Sequence, residues 1–129
     1  MISFVVPAYN EELLLGATLR RLNAAAETLG ESHEIIVADD ASSDRTVAVA
    51  KEHGARVVEV AHRQIAATRN SGARAAKGDF LIFVDADTLV DAPVVRAALQ
   101  AMRNGAVGGG CDFQFDGRVP LWAFCQRVI

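Results

Sequence analysis

Short apolar runs alternate with longer helical stretches along most of this chain, and that alternation restricts the fold more than any other feature. Ile2 to Val6, Glu34 to Ala38, Arg56 to Val60 and Phe80 to Val84 are rich in Val, Ile and Phe. Between them lie stretches with helical signals. In the first, about Glu11 to Leu29, Leu15, Leu19, Leu22, Ala26 and Leu29 share one face and Gly30 closes the helix. In the second, Ser42-Ser43-Asp44 can cap a helix running to about His53-Gly54; the third is the alanine-rich Ile65 to Ala76. A fourth helix is predicted from Asp91 to about Arg103, with Pro93 in its first turn and Asn104-Gly105 as its stop. Parallel strands need crossover connections of this kind, whereas antiparallel ones can be joined by a tight turn. The predicted fold is therefore α/β, an open and mostly parallel sheet with helices on both faces, in one domain spanning residues 1–129.

Local signals add detail. Pro7 is expected to stop the first strand, and Phe80 to Val84 reads as a fully buried strand. Ala106 to Phe115 could form a further strand, weakened by Gly108-Gly109-Gly110. The apolar stretch Val119 to Ile129 is expected to pack on the domain, to mediate self-association, or to mark the interrupted end of a longer protein, and truncation at the C-terminus is the favoured expectation.

Hydrophobic residues make up 51% of the chain and charged ones 22%, which excludes a disordered polypeptide. Net charge is −3 with Lys and Arg scattered, so no nucleic-acid partner is expected. There is no apolar stretch of bilayer length and no signal-peptide start. A cytoplasmic location is the default expectation, and peripheral attachment to a membrane is compatible with it. Cys111 and Cys125 lack metal or redox spacing and are expected to be reduced thiols in packed positions. His33, His53 and His62 are isolated and read as surface or loop residues.

Chemistry concentrates where strands end. After the first comes Pro7-Ala8-Tyr9-Asn10-Glu11, after the second Asp39-Asp40-Ala41-Ser42-Ser43-Asp44, and after the fourth Asp85-Ala86-Asp87-Thr88. In a parallel sheet these open on one rim, the side on which open α/β sheets bind ligands. Asp85 and Asp87 repel one another unless a cation lies beside them, and a hard Mg²⁺ or Mn²⁺ suits carboxylates shared with substrate phosphates. The same acids would also suit a solvated turn ahead of the helix that follows Asp91. A tyrosine can stack on a nucleobase, and a carboxylate can accept from a base N–H or ribose hydroxyls. Together the three strand ends outline a nucleotide-diphosphate pocket. Asp39 is expected to cap the turn beneath Asp40, and Glu12 to suit the N-terminus of the first helix.

Val5-Val6-Pro7-Ala8-Tyr9-Asn10-Glu11-Glu12, Val37-Ala38-Asp39-Asp40-Ala41-Ser42-Ser43-Asp44, Ala67-Thr68-Arg69-Asn70-Ser71-Gly72 and Gly78-Asp79-Phe80 with Asp85-Ala86-Asp87 resemble family 2 glycosyltransferases of the GT-A fold. The resemblance covers about the first hundred residues and makes the chain a nucleotide-sugar-binding portion of such an enzyme. It implies that Pro7 and Tyr9 line the base pocket, with Ala8 among the nucleotide-binding residues, that Glu11 lies near the nucleoside, and that Asp40 contacts the base. Asp85 would lie near the ribose or the metal, Ala86 would contribute backbone, and Asp87 would be the main metal ligand. Arg69 would steady the acidic pocket or the phosphates.

The implied activity is metal-dependent transfer of a sugar from a UDP- or GDP-sugar to an unknown acceptor, with inversion. The family's general base lies downstream of the Asp-x-Asp segment, and neither Asp112 nor Asp116 matches it, so the catalytic base is unassigned. A non-catalytic nucleotide-binding or assembly module is the alternative. A phosphoacceptor receiver domain fits poorly, because Pro7-Ala8-Tyr9 stands where it needs an acidic pair; a dinucleotide-binding domain lacks its Gly-x-Gly-x-x-Gly.

Overall fold

All seven residues from Ile2 to Ala8 are buried, and a strand covers both its faces only at the centre of a sheet with helices on either side. In the computed structural model, which describes residues 1–111, this strand is β1 (Ile2–Ala8). It is followed by α1 (Leu15–Leu29), β2 (His33–Asp40), α2 (Thr46–Glu52), β3 (Arg56–Val60), α3 (Ile65–Ala75), β4 (Phe80–Phe83) and α4 (Ala92–Arg103). The four strands are ordered β3-β2-β1-β4 and all pair in parallel. The α/β expectation holds, with helices on both faces.

The alternation of side chains along β1 assigns the layers. Phe4, Val6 and Ala8 join Leu15, Leu19 and Leu22 of α1, Ala50 of α2, and Val95 and Leu99 of α4 in one core. On the opposite face α3 lies so close that a methyl group on Gly72 would stand 2.5 Å from Val5 Cγ1 and 3.3 Å from the Ala38 Cβ. Only a residue without a Cβ permits that approach, and it brings Thr68 and Arg69 to the rim of the sheet.

Several expected boundaries move. Pro7 does not stop β1, which runs to Ala8 beside Asp39. The Val5 carbonyl accepts from Val84 N on the β4 side; by alternation the Pro7 nitrogen faces the same way, past the end of β4, where no ladder donor is needed. β4 is not fully buried. It is an edge strand among the described residues, with Leu81 and Phe83 40% and 45% exposed. Glu11 to Leu14 form a turn before α1 rather than its first residues, although Leu15 N already donates to the Glu11 carbonyl. Asp91 caps α4 by accepting from Val94 N, as its sequence position implies. Residues 106–111 adopt no regular structure and Cys111 is exposed, against the expected strand and packed thiol. Cys125, Asp112, Asp116 and the apolar stretch from Val119 lie outside the described residues. Among those described, no helix is long and apolar enough to cross a membrane.

The strands are anchored at the edge opposite the rim by Glu34. Its carboxylate accepts from Ser3 Oγ at 2.6 Å, from Lys77 N at 2.6 Å and from Arg56 Nη2 at 2.9 Å, tying together β1, β2, β3 and the approach to β4. Burial pushes the Glu34 carboxyl up, but the hydrogen bonds from Ser3 and Lys77 N and then Arg56 outweigh it and bring it from 4.5 to about 2. Because the folded value lies below the ordinary one, this stabilisation is present above pH 4.5 and is lost as pH falls towards 2. Glu34→Gln is therefore expected to cost about 2 kcal/mol at neutral pH. It should also flatten the decline in melting temperature between pH 4.5 and 2, which calorimetry across that range would reveal.

Candidate functional site

The C-terminal ends of all four strands open on one cavity of about 690 Å³, lined by Pro7, Ala8, Tyr9, Glu11, Asp40, Ala41, Arg63, Gln64, Ile65, Thr68, Asp85, Ala86 and Asp87. That volume falls within the range of small-molecule sites. Every predicted site residue except Arg69 lines it, including Tyr9, Asp40 and Asp87 from three different strand ends.

The loops that shape the cavity are cross-tied. Asn10 N donates to Ser42 Oγ at 2.9 Å and Asn10 Oδ1 accepts from Ser43 N at 2.8 Å, joining the β1 and β2 ends. Thr46 Oγ1 accepts from Glu11 N, while Asp44 accepts from Glu12 N through Oδ2 and from Thr46 N through Oδ1. Asp39 Oδ2 accepts from Ser42 N at 3.1 Å, the turn-capping role expected of it. Glu12 instead serves the other helix: its Oε2 accepts from Arg45 N at the start of α2. Tyr9 is left 61% exposed over the cavity mouth, free to offer a ring face. Among the described residues, those other than glycine with positive φ are Asn10, Ala41 and Arg63, at 51°, 57° and 51°. Each follows one of three strands, and backbone strain of this kind gathers at functional sites.

Two carboxylates of the cavity have opposite electrostatics. Asp40, 8% exposed, accepts from His62 N at 2.7 Å and Arg63 N at 3.1 Å through Oδ1, and from Thr68 Oγ1 at 3.1 Å through Oδ2. The Arg63 N–H, opposed by burial and joined by the His62 N–H and the Thr68 hydroxyl, holds its carboxyl below the usual range. For Glu11, burial and then the negative charges of Asp87 and Asp44 push the carboxyl up. The cavity thus has a hydrogen-bonded, firmly ionised end at β2 and an end at β4 where negative charges crowd.

At the crowded end Arg69, presented by α3, pairs with Asp85 Oδ1. It is not among the lining residues, and reaches the cavity only through this pair with Asp85. The Asp85 carboxylate retains one oxygen outside that contact. The Asp87 side chain is exposed and, among the described residues, has no cationic partner; its polar contact is a long one from Thr88 Oγ1 at 3.4 Å. No cluster of three His, Cys, Asp or Glu among the described residues could hold an ion alone. A set of hard oxygen donors from two carboxylates fits Mg²⁺ or Mn²⁺ that fills its shell with phosphate oxygens and water, rather than an all-protein cage. Ala86 places its carbonyl on Thr18 Oγ1, the donor in a buried 2.8 Å bond that pins the Asp85–Asp87 segment to α1.

Arg63, Gln64, Ile65, Thr68 and Ala41 line the cavity without having been singled out in the sequence. The polar triplet His62-Arg63-Gln64 after β3 is the signal that could have found two of them, since it is a fourth strand end of the same sense.

Comparison with known proteins agrees with this fold. A family model described as glycosyl transferase family 2 matches residues 3–124. A validoxylamine A glucosyltransferase from Streptomyces hygroscopicus subsp. limoneus is 34% identical over 129 residues, covering 93% of this chain and 28% of that protein. A mannosyltransferase from Pyrobaculum calidifontis, solved in complex with GDP-Man and Mn²⁺, superposes with a TM-score of 0.65 at 27% identity, over 75% of this chain and 30% of that one. A glucosyl-3-phosphoglycerate synthase from Mycobacterium tuberculosis, solved with Mn²⁺, uridine diphosphate and glucosyl-3-phosphoglycerate, gives 0.61 at 26% identity over 79% and 39%. The chain therefore spans well under half the length of the proteins it matches. With the family model covering nearly all of the sequence, the chain belongs to glycosyl transferase family 2.

Proposed function

We propose that this chain binds a nucleoside-diphosphate sugar together with Mn²⁺ or Mg²⁺ and serves as the donor side of an inverting glycosyl transfer. The observation that carries the reading is the convergence of Tyr9, Asp40 and Asp87 on one cavity. The complexes of two similar structures with GDP-Man and with uridine diphosphate, both with Mn²⁺, support it.

In this reading the base lies against Tyr9 and Pro7 and its edge meets Asp40. Asp87, with the free oxygen of Asp85, would hold the cation, which would supply Lewis-acid stabilisation of the leaving diphosphate. Arg69 keeps Asp85 in place, and the Thr18 bond to the Ala86 carbonyl steadies the segment that carries Asp87. A carboxylate base acting on the acceptor hydroxyl belongs to the same proposal, and no described residue is assigned to it.

A thermal-shift panel of UDP, GDP, CDP and ADP, each with and without Mn²⁺, tests the reading. A ligand at a hundredfold excess over its Kd adds about 2.7 kcal/mol to stability. A clear rise in melting temperature is therefore expected with UDP or GDP, and only when Mn²⁺ is present. If no nucleoside diphosphate moves the transition with Mn²⁺, the reading fails.

A further inference from the structure

The Arg63 side chain has no part in the donor-site reading, yet its backbone is firmly placed. Its backbone sits at φ 51°, strained for a residue with a Cβ. Its N–H is fixed to the buried Asp40 carboxylate at 3.1 Å, beside that of His62 at 2.7 Å on the same oxygen. The side chain is exposed, forms no ion pair with any described residue, and is the one cation lining the cavity among the described residues.

Sheet order fixes where along the rim it stands. With strands ordered β3-β2-β1-β4, the rim carries in sequence Arg63, Asp40, Tyr9 and then Asp85 with Asp87. Three strand spacings separate the ends of this row, roughly 14 Å at about 4.8 Å each. A nucleotide whose phosphates lie at the Asp87 end therefore points its base past Tyr9 and Asp40 towards Arg63. A guanidinium offers donors only, and a carboxylate acceptors only. Asp40 takes three donors within the protein, with the Gln64 N–H also directed at it, and it still lines the cavity, where its carboxylate can act only as an acceptor. An acceptor beside a donor complements a ring N–H next to a carbonyl, the edge of uracil and of guanine. Cytosine and adenine present the reverse, an amino donor next to a ring nitrogen acceptor.

Resting on the donor-site reading above, we propose that Arg63 is a specificity-determining residue that donates to a nucleobase carbonyl, so that the cavity takes keto bases in preference to amino bases. The strained turn and the Asp40 tether fix the Arg63 backbone at the β3 end of the rim, the far end from Asp87.

Calorimetric titration of the purified chain with Mn²⁺ and UMP, UDP, GMP, GDP, CMP and CDP tests this. Arg63→Met, which has no donor, is expected to weaken the preferred keto nucleotide about tenfold, by the same factor for mono- and diphosphate, while cytidine nucleotides change little. Arg63→Lys should recover only part of the loss, because it lacks the planar fork. Arg63→Gly, free of the left-handed strain, should bind as poorly as Arg63→Met with a melting temperature no lower than that of the unaltered chain. Unchanged affinity in Arg63→Met, or a loss confined to diphosphates, would overturn the assignment to the base while leaving the donor site standing. Absence of nucleotide binding by the unaltered chain would instead overturn the donor-site reading, and the role of Arg63 with it.

Discussion

Asp87→Ala is expected to abolish the Mn²⁺-dependent part of nucleotide binding while leaving the fold intact. The side chain is exposed and makes only a long contact with Thr88, so its removal costs the folded state little. Glu11 feels the Asp87 charge, and that repulsion disappears with it; stability without ligand should hold or rise slightly. Binding is another matter. Asp85 alone would face the cation with one oxygen committed to Arg69, too little to retain a hard ion that already relies on phosphate for most of its shell. Any transfer activity should fall by about a hundredfold or more, the scale on which loss of charge stabilisation at a leaving group is felt. Thermal shift with and without Mn²⁺, run beside a transfer assay, checks both halves. A metal-dependent shift that survives the substitution would move the cation site elsewhere.

Asp40→Ala should have the broadest effect, because one carboxylate organises the β3–α3 connection. Two backbone N–H groups and the Thr68 hydroxyl lose their acceptor together, and N–H groups in a protein interior are costly to leave unpaired. The melting temperature is expected to drop by several degrees and nucleotide affinity by at least tenfold. Asp40→Asn separates the causes. Its carbonyl can still accept from His62 N and Arg63 N, and the Thr68 hydroxyl can turn to accept from the amide while the loop stays closed. It should therefore recover most of the stability but little of the affinity, since an amide donor would meet the base N–H. Equal recovery of both would make Asp40 a structural residue only.

Much of this was legible in the sequence because burial and strand ends leave local marks. The apolar runs located all four strands, and Asp91 with Pro93 marked the start of α4. Tyr9, Asp40, Asp85 and Asp87 could be placed on one rim once the strands were taken as parallel. Features that depend on strand order were hidden. Pro7 remains inside β1 only because β4 ends earlier on that side, and Leu81 and Phe83 are exposed because β4 is an edge among the described residues. Pairwise contacts between distant segments were equally out of reach. Nothing local to Arg69 says that it faces Asp85, and nothing local to Glu12 says that it serves α2 rather than α1. The end of β3 was passed over for want of a carboxylate, although His62 and Arg63 there complete the setting of Asp40.

The most direct measurement is a crystal structure of the chain grown with Mn²⁺ and UDP or GDP, using the anomalous signal of manganese to locate the ion. The expected result is an anomalous peak within coordination distance of Asp87, bridged to the diphosphate, with the base over Tyr9 and its edge at Asp40. A nucleotide bound outside the cavity formed by the four strand ends, or a manganese peak away from Asp87, would contradict the account.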